Sequence, residues 1–146
     1  MDILSKLPER LAELMAEREL KPVSLANEIG ISRNTITRYL QGVRLPSFEN
    51  FVKLLDVFHC SADFLIGLTD NPSYNVVYKP VVCFATRFQT LLTERKISQY
   101  ALHQQTHFSY DNFNSWLKGK TSPYVDNLVK LANAFACSVD ELLGRI

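Results

Sequence analysis

Glycine, cysteine, a surplus of charge and long apolar runs are all scarce in this 146-residue sequence. Its 5 glycines leave no stretch in which a glycine-rich phosphate loop can be written, so the common nucleotide-binding fingerprints are excluded. Cys60, Cys83 and Cys137 are odd in number and lack CxxC spacing. They build neither a disulfide framework nor a zinc finger. No apolar run approaches the roughly 20 residues that cross a bilayer, and the opening MDILSKLPER has no basic-then-apolar signal pattern. A cytoplasmic protein without a membrane partner is expected. Net charge is +1, with residues 1–70 at −2 and residues 71–146 at +3. A nonspecific polyelectrolyte coat for nucleic acid is thereby excluded, and only local placement of charge can support such a partner.

What the sequence does have is a repeat. Sliding it along itself by 77 positions puts Arg10, Leu14, Glu17 and Arg18 over Arg87, Leu91, Glu94 and Arg95 without a gap. Leu25, Ser32, Leu40, Gly42, Pro46 and Asn50 fall on Leu102, Ser109, Leu117, Gly119, Pro123 and Asn127, and VKLLDVFHCSADFLIG lies over VKLANAFACSVDELLG. Two copies of one fold are expected, residues 1–69 and 82–146, joined by a connector at 70–81. Pro72 and Pro80 break helices there, and Val76, Val77 and Tyr78 suggest a brief extended run.

Within each copy apolar residues recur at three and four, the helical spacing. Copy one shows five stripes: Leu7, Leu11, Leu14 and Met15; Leu25 and Ile29; Ile36, Tyr39 and Leu40; Phe51, Leu54, Leu55 and Phe58; and Phe64 with Leu65. Ser32 and Ser47 stand as N-caps, Gly30 and Gly42 as left-handed helix ends, and Ser61 opens the last helix. The fold class is therefore all-α, two tandem five-helix domains.

The segment SLANEIGISRNTITRYLQG has a short helix, a turn and a second helix, the helix-turn-helix spacing. Leu25, Ile29, Ile36 and Leu40 turn inward, which leaves Arg33, Asn34, Thr37 and Arg38 facing outward. Arginine bonds a guanine edge bidentately and asparagine an adenine edge, so this helix carries major-groove chemistry. Arg44 in the following loop, and Lys120 one aligned position away in copy two, suit phosphates.

LANEIGISRNTITRYLQGVRLPSFENFVKLLDVFHCSADFLIG resembles the phage-repressor-like, XRE-type helix-turn-helix DNA-binding domain, and YALHQQTHFSYDNFNSWLKGKTSPYVDNLVKLANAFACSVDELLG is similar to it as well. The resemblance implies a bacterial or phage transcriptional regulator whose partner is double-stranded DNA, bound as a homodimer or by the two copies as an intramolecular pseudo-dimer. It makes Ser32, Arg33, Asn34 and Arg38 the groove-facing set. In copy two the corresponding candidates are Gln99, Ser109, Tyr110, Asn112, Asn114, Lys118 and Lys120. Gln99 occupies the site where the family usually braces its reader helix with glutamine; copy one has Pro22 there. Copy two also places Tyr110, Asp111 and Ser115 at the positions of Arg33, Asn34 and Arg38, and His107 at that of Gly30. An asymmetric operator is expected from two unlike readers. Counted over the whole stretch 68–81, LTDNPSYNVVYKPV, about 14 residues reach at most about 50 Å, enough for half-sites about 34 Å apart.

The plainer readings are that Arg33 and Arg38 are solvated surface charges, that Tyr110 packs against a partner, and that Cys60 and Cys137 are small buried fillers. His103 and His107 lie four apart, but HQQTH lacks the glutamate of HExxH, and no metal, cofactor or small-molecule ligand is expected. No catalytic constellation is present, so the sequence does not read as an enzyme. The alternative function is a protein-interaction or antitoxin-like module that keeps the helix-turn-helix frame without reading DNA.

Overall fold

The computed structural model describes residues 5–146, and among these it contains ten α-helices and no strand. The chain divides between Val76 and Val77 into two compact units. The first holds α1 (Lys6–Glu17), α2 (Pro22–Ile29), α3 (Arg33–Gln41), α4 (Phe48–Phe58) and α5 (Ala62–Ile66). The second holds α6 (Phe84–Glu94), α7 (Gln99–Thr106), α8 (Tyr110–Leu117), α9 (Val125–Ala134) and α10 (Val139–Leu142). Subtracting 77 from the starts of α7 to α10 returns the starts of α2 to α5, so the sequence register is also the structural one.

Local chemistry sets these boundaries. Ser32, Ser47 and Ser61 accept a hydrogen bond from the backbone N–H three residues on, as do Ser98, Ser109 and Ser138 in the second unit. Each such cap is worth about 1 kcal/mol. Helix ends repeat too: left-handed residues stand at Glu19, Gly30, Gly42, His59 and Gly67, and at the equivalent Lys96, His107, Gly119, Ala136 and Gly144. Bonds that reach back five residues close most of them, as in Leu20 N–H to Met15 O at 2.8 Å and Lys120 N–H to Ser115 O at 3.0 Å, whereas after His107 the Phe108 N–H donates to the Thr106 hydroxyl at 3.2 Å. Glycine is present at only half of these sites, so Glu19, His59, Lys96, His107 and Ala136 carried no glycine signal of their own.

The cores differ in material. In the first unit Leu7, Leu11, Leu25, Ile36, Phe51, Leu54 and Leu55 are almost wholly excluded from solvent. In the second, Phe84, Phe88 and Phe113 stand where Leu7, Leu11 and Ile36 stood, and with Phe108, Trp116 and Phe135 they form a cluster with ring centroids 5.4–6.5 Å apart. Edge-to-face pairs of this kind add about 0.5–1.5 kcal/mol each beyond area burial. Three expected core positions are less buried: Ile29, Leu40 and Cys137 keep intermediate exposure, whereas Cys60 is buried.

The connector is not a free tether. On the first unit, Pro72 O accepts from Ser61 N–H at 2.8 Å, Val76 O accepts from His59 Nε2–H at 2.9 Å, and the Tyr74 hydroxyl donates to Glu17 at 2.6 Å. Burial, followed by that bond to Glu17, pushes the Tyr74 phenol up to about 12. On the second unit, Lys79 N–H donates to Arg145 O at 2.7 Å, and the Arg145 guanidinium lies 4.0 Å from the centre of the Tyr78 ring. Only Val77, 91% exposed, separates these two sets of bonds. No strand forms over Val76–Tyr78: the chain bends at Val76, which closes a turn on Ser73 (3.3 Å), itself left-handed at φ 55°.

Candidate nucleic-acid interface

In the first unit the α2–α3 pair is held from behind. Leu25 and Ile36 are fully buried, and so is Tyr39, whose hydroxyl accepts from Asn50 Nδ2 at 2.9 Å and thereby fixes α3 against α4. Gly30 ends α2 at φ 71°, and Ile31 N–H returns to Ala26 O at 3.1 Å. Two residues later Ser32 starts α3 by accepting from Thr35 N–H at 3.1 Å, and its hydroxyl also pairs with that of Thr35 at 2.8 Å. The second helix of the pair is thus fixed in start, direction and roll.

That roll exposes Ser32, Arg33, Asn34 and Arg38, with Thr37 half-exposed. Among the described residues no acidic group lies within 4.0 Å of Arg33, Arg38 or Arg44. Other arginines are committed to the fold: Arg10 bonds Asp70 at 2.6 Å and lies 4.3 Å from the Phe64 ring centre, and Arg18 bonds the Val57 carbonyl and pairs with Glu28. Thr37 uses its hydroxyl proton on the Arg33 carbonyl at 3.0 Å, so outward it offers a methyl group and an acceptor oxygen.

Lys21, Pro22, Val23 and Ser24 from the start of α2 meet Arg33, Asn34 and Thr37 around one open depression. Lys21 was not among the residues expected from the sequence. It is the exposed residue preceding α2, and no side chain caps that helix, so the free N–H groups of its first turn add to the lysine's positive potential. The signal was available as a lysine beside a proline at a helix start. Arg44 is exposed in the α3–α4 loop, beside a second depression lined by Ser5, Pro8 and Gln41.

The second unit repeats the frame with different chemistry. Ser109 caps α8 by accepting from Asn112 N–H at 3.1 Å, and Ser98 caps α7, leaving Gln99 half-exposed. The Tyr110 ring stacks on His103 with centroids 4.8 Å apart. His103 Nδ1 lies 2.7 Å from the Phe108 carbonyl, which can only accept, so the proton sits on Nδ1. His107 is the left-handed residue ending α7. Asp111, Asn112, Asn114, Lys118 and Lys120 are exposed, while Ser115 pairs its hydroxyl with Thr121 at 2.7 Å.

A family model for the Cro/C1-type helix-turn-helix DNA-binding domain matches residues 87–146, and a helix-turn-helix model matches residues 11–65. The chain carries two Cro/C1-type domains in tandem. It is similar to the cryptic phage CTXphi transcriptional repressor RstR of Vibrio cholerae, 39% identical over 62 residues, which cover 42% of this chain and 55% of that protein. It is also similar to the uncharacterized HTH-type transcriptional regulator YobD of Bacillus subtilis, 31% identical over 71 residues, 49% of this chain and 63% of that one. The chain therefore spans 55% and 63% of the length of these two relatives. No solved structure gives a significant match. Among the described residues no helix of either Cro/C1-type domain is long and apolar enough to cross a membrane.

Proposed function

We propose that this chain is a sequence-specific, double-stranded-DNA-binding transcriptional regulator in which the first Cro/C1-type domain reads the major groove with α3. One observation carries the reading. The outer row of the second helix holds Arg33, Asn34 and Arg38, exposed and without a described acidic partner, while the buried Leu25, Ile36 and Tyr39 fix the helix from behind. Arg33, Asn34 and Arg38 are the base readers, Thr37 adds a methyl and an acceptor, and Ser32, Lys21 and Arg44 meet phosphates. No catalytic step is assigned to the chain.

The experiment is a gel-shift titration of the full chain on a site selected from random duplexes, compared with a scrambled duplex. Arg38→Ala should lose about 1–3 kcal/mol on the selected site and relax discrimination at one base pair. Unchanged binding to both duplexes would remove Arg38 as a reader.

For the second domain a protein-contact role is favoured by the tyrosine stacked on His103 and the carboxylate of Asp111 at the head of α8. In this reading Tyr110, Asn112 and Asn114 face a protein, and Gln99, Ser109, Lys118 and Lys120 border that contact.

A further inference from the structure

The offset of 77 allows the two helix-turn-helix faces to be compared position by position. Lys21, Arg33 and Arg38 on the first become Ser98, Tyr110 and Ser115 on the second, and Asn34 becomes Asp111. Three positive charges are gone and one negative charge has appeared. Val23 becomes Tyr100, which is 64% exposed, and Tyr110 is 42% exposed. Such a face repels phosphate at Asp111 and presents two aromatic rings. It accepts guanidinium groups, which stack on tyrosine and pair with a carboxylate. Tyr110 is also held in place, by its stacking on a histidine whose own proton is fixed by the Phe108 carbonyl. A ring ordered in advance loses little entropy on docking. Lys118 and Lys120 lie beyond the far end of α8, about 12 Å along an eight-residue helix from Asp111.

The chemistry complementary to this face is present in the same sequence, on the first domain: Lys21, Arg33 and Arg38, exposed around a small apolar patch at Val23. We infer that the α7–α8 face of one chain docks the α2–α3 face of a second copy of this chain. Arg33 and Arg38 then meet Asp111 and the Tyr100 and Tyr110 rings. Opposed charge sets the partner and the register, and the two rings supply the buried area. The contact uses the surface that reads DNA, so self-association and DNA binding exclude each other. This rests on the reading of α3 as the DNA-contacting helix only for that competition, not for the contact itself.

Sedimentation of the full chain across a concentration series, with and without its selected duplex, tests the proposal. The parent should associate as concentration rises and return to single chains on adding duplex. Asp111→Asn should weaken association at least about tenfold, as expected for loss of one partner of a docked charge pair. Tyr100→Ala combined with Tyr110→Ala, which removes both exposed rings without changing the charge and leaves the Ser109 cap intact, should abolish association and leave DNA affinity at low protein concentration unchanged. Single-chain mass at every concentration overturns the proposal. So does association indifferent to Asp111→Asn, or a loss of DNA affinity in the double variant, which would give the α8 face to DNA. Failure of the α3 reading looks different: the parent would associate as described yet bind no duplex.

Discussion

Gly67 and Gly30 both end a helix in the left-handed region, yet they are not equivalent. A Cβ on Gly30 meets nothing within 4 Å, whereas one on Gly67 would lie 2.5 Å from Lys6 Cβ, with φ at 92°. Left-handed backbone costs an L-residue about 1–2 kcal/mol, and forcing the α1 backbone aside adds about 1–3 kcal/mol. Gly67→Ala should therefore lose clearly more stability in urea than Gly30→Ala, which should pay the conformational term alone. Equal losses would mean that Lys6 yields freely. His107, left-handed at φ 62° where copy one has Gly30, shows that open space makes a side chain tolerable there.

Among the elements, the end of α10 has its own clamp. Arg145, 2% exposed, bonds Asp140, 5% exposed, at 2.7 Å, and its backbone and guanidinium hold Lys79 and Tyr78. Removing one partner of a buried pair leaves a desolvated charge, at about 3–5 kcal/mol. Arg145→Ala should thus lower the unfolding midpoint of the second domain. Trp116 is the one tryptophan in the chain and sits in that domain's aromatic core, so its fluorescence follows this transition directly. An unshifted midpoint would show that Asp140 finds another partner. Arg87 works similarly, bonding the Glu141 and Leu142 carbonyls at 2.6 and 3.2 Å, which gives a physical role to one of the arginines that mark the repeat.

For the whole molecule, a net charge of +1 coexists with a local basic face at Lys21, Arg33, Arg38 and Arg44. Binding should therefore be salt-dependent with a modest log–log slope, about −2 per chain for the two phosphates neutralised by Lys21 and Arg44. Arg44→Ala should weaken binding evenly across sequences and make that slope shallower by about one. Lys120→Ala, on the domain assigned to protein contact, should leave the slope as it is; a change there would put the second domain on DNA.

The all-α class, the two copies, the serine caps and the exposed row Arg33, Asn34 and Arg38 were legible in the sequence because each rests on local spacing. Helical period, cap chemistry and a gapless offset need no knowledge of what lies opposite. Left-handed Glu19, His59, Lys96 and Ala136 were not legible, since their conformation follows from where the neighbouring helices must turn. Neither was the stacking of Tyr110 on His103, nor the fate of the connector. Whether residues 72–79 hang free depends on His59, Glu17, Ser61 and Arg145, partners 11 to 66 positions away that only the packed chain brings within 3 Å. Sequence thus determined which helices form and which side chains they carry; tertiary packing decided which of those side chains remain uncommitted.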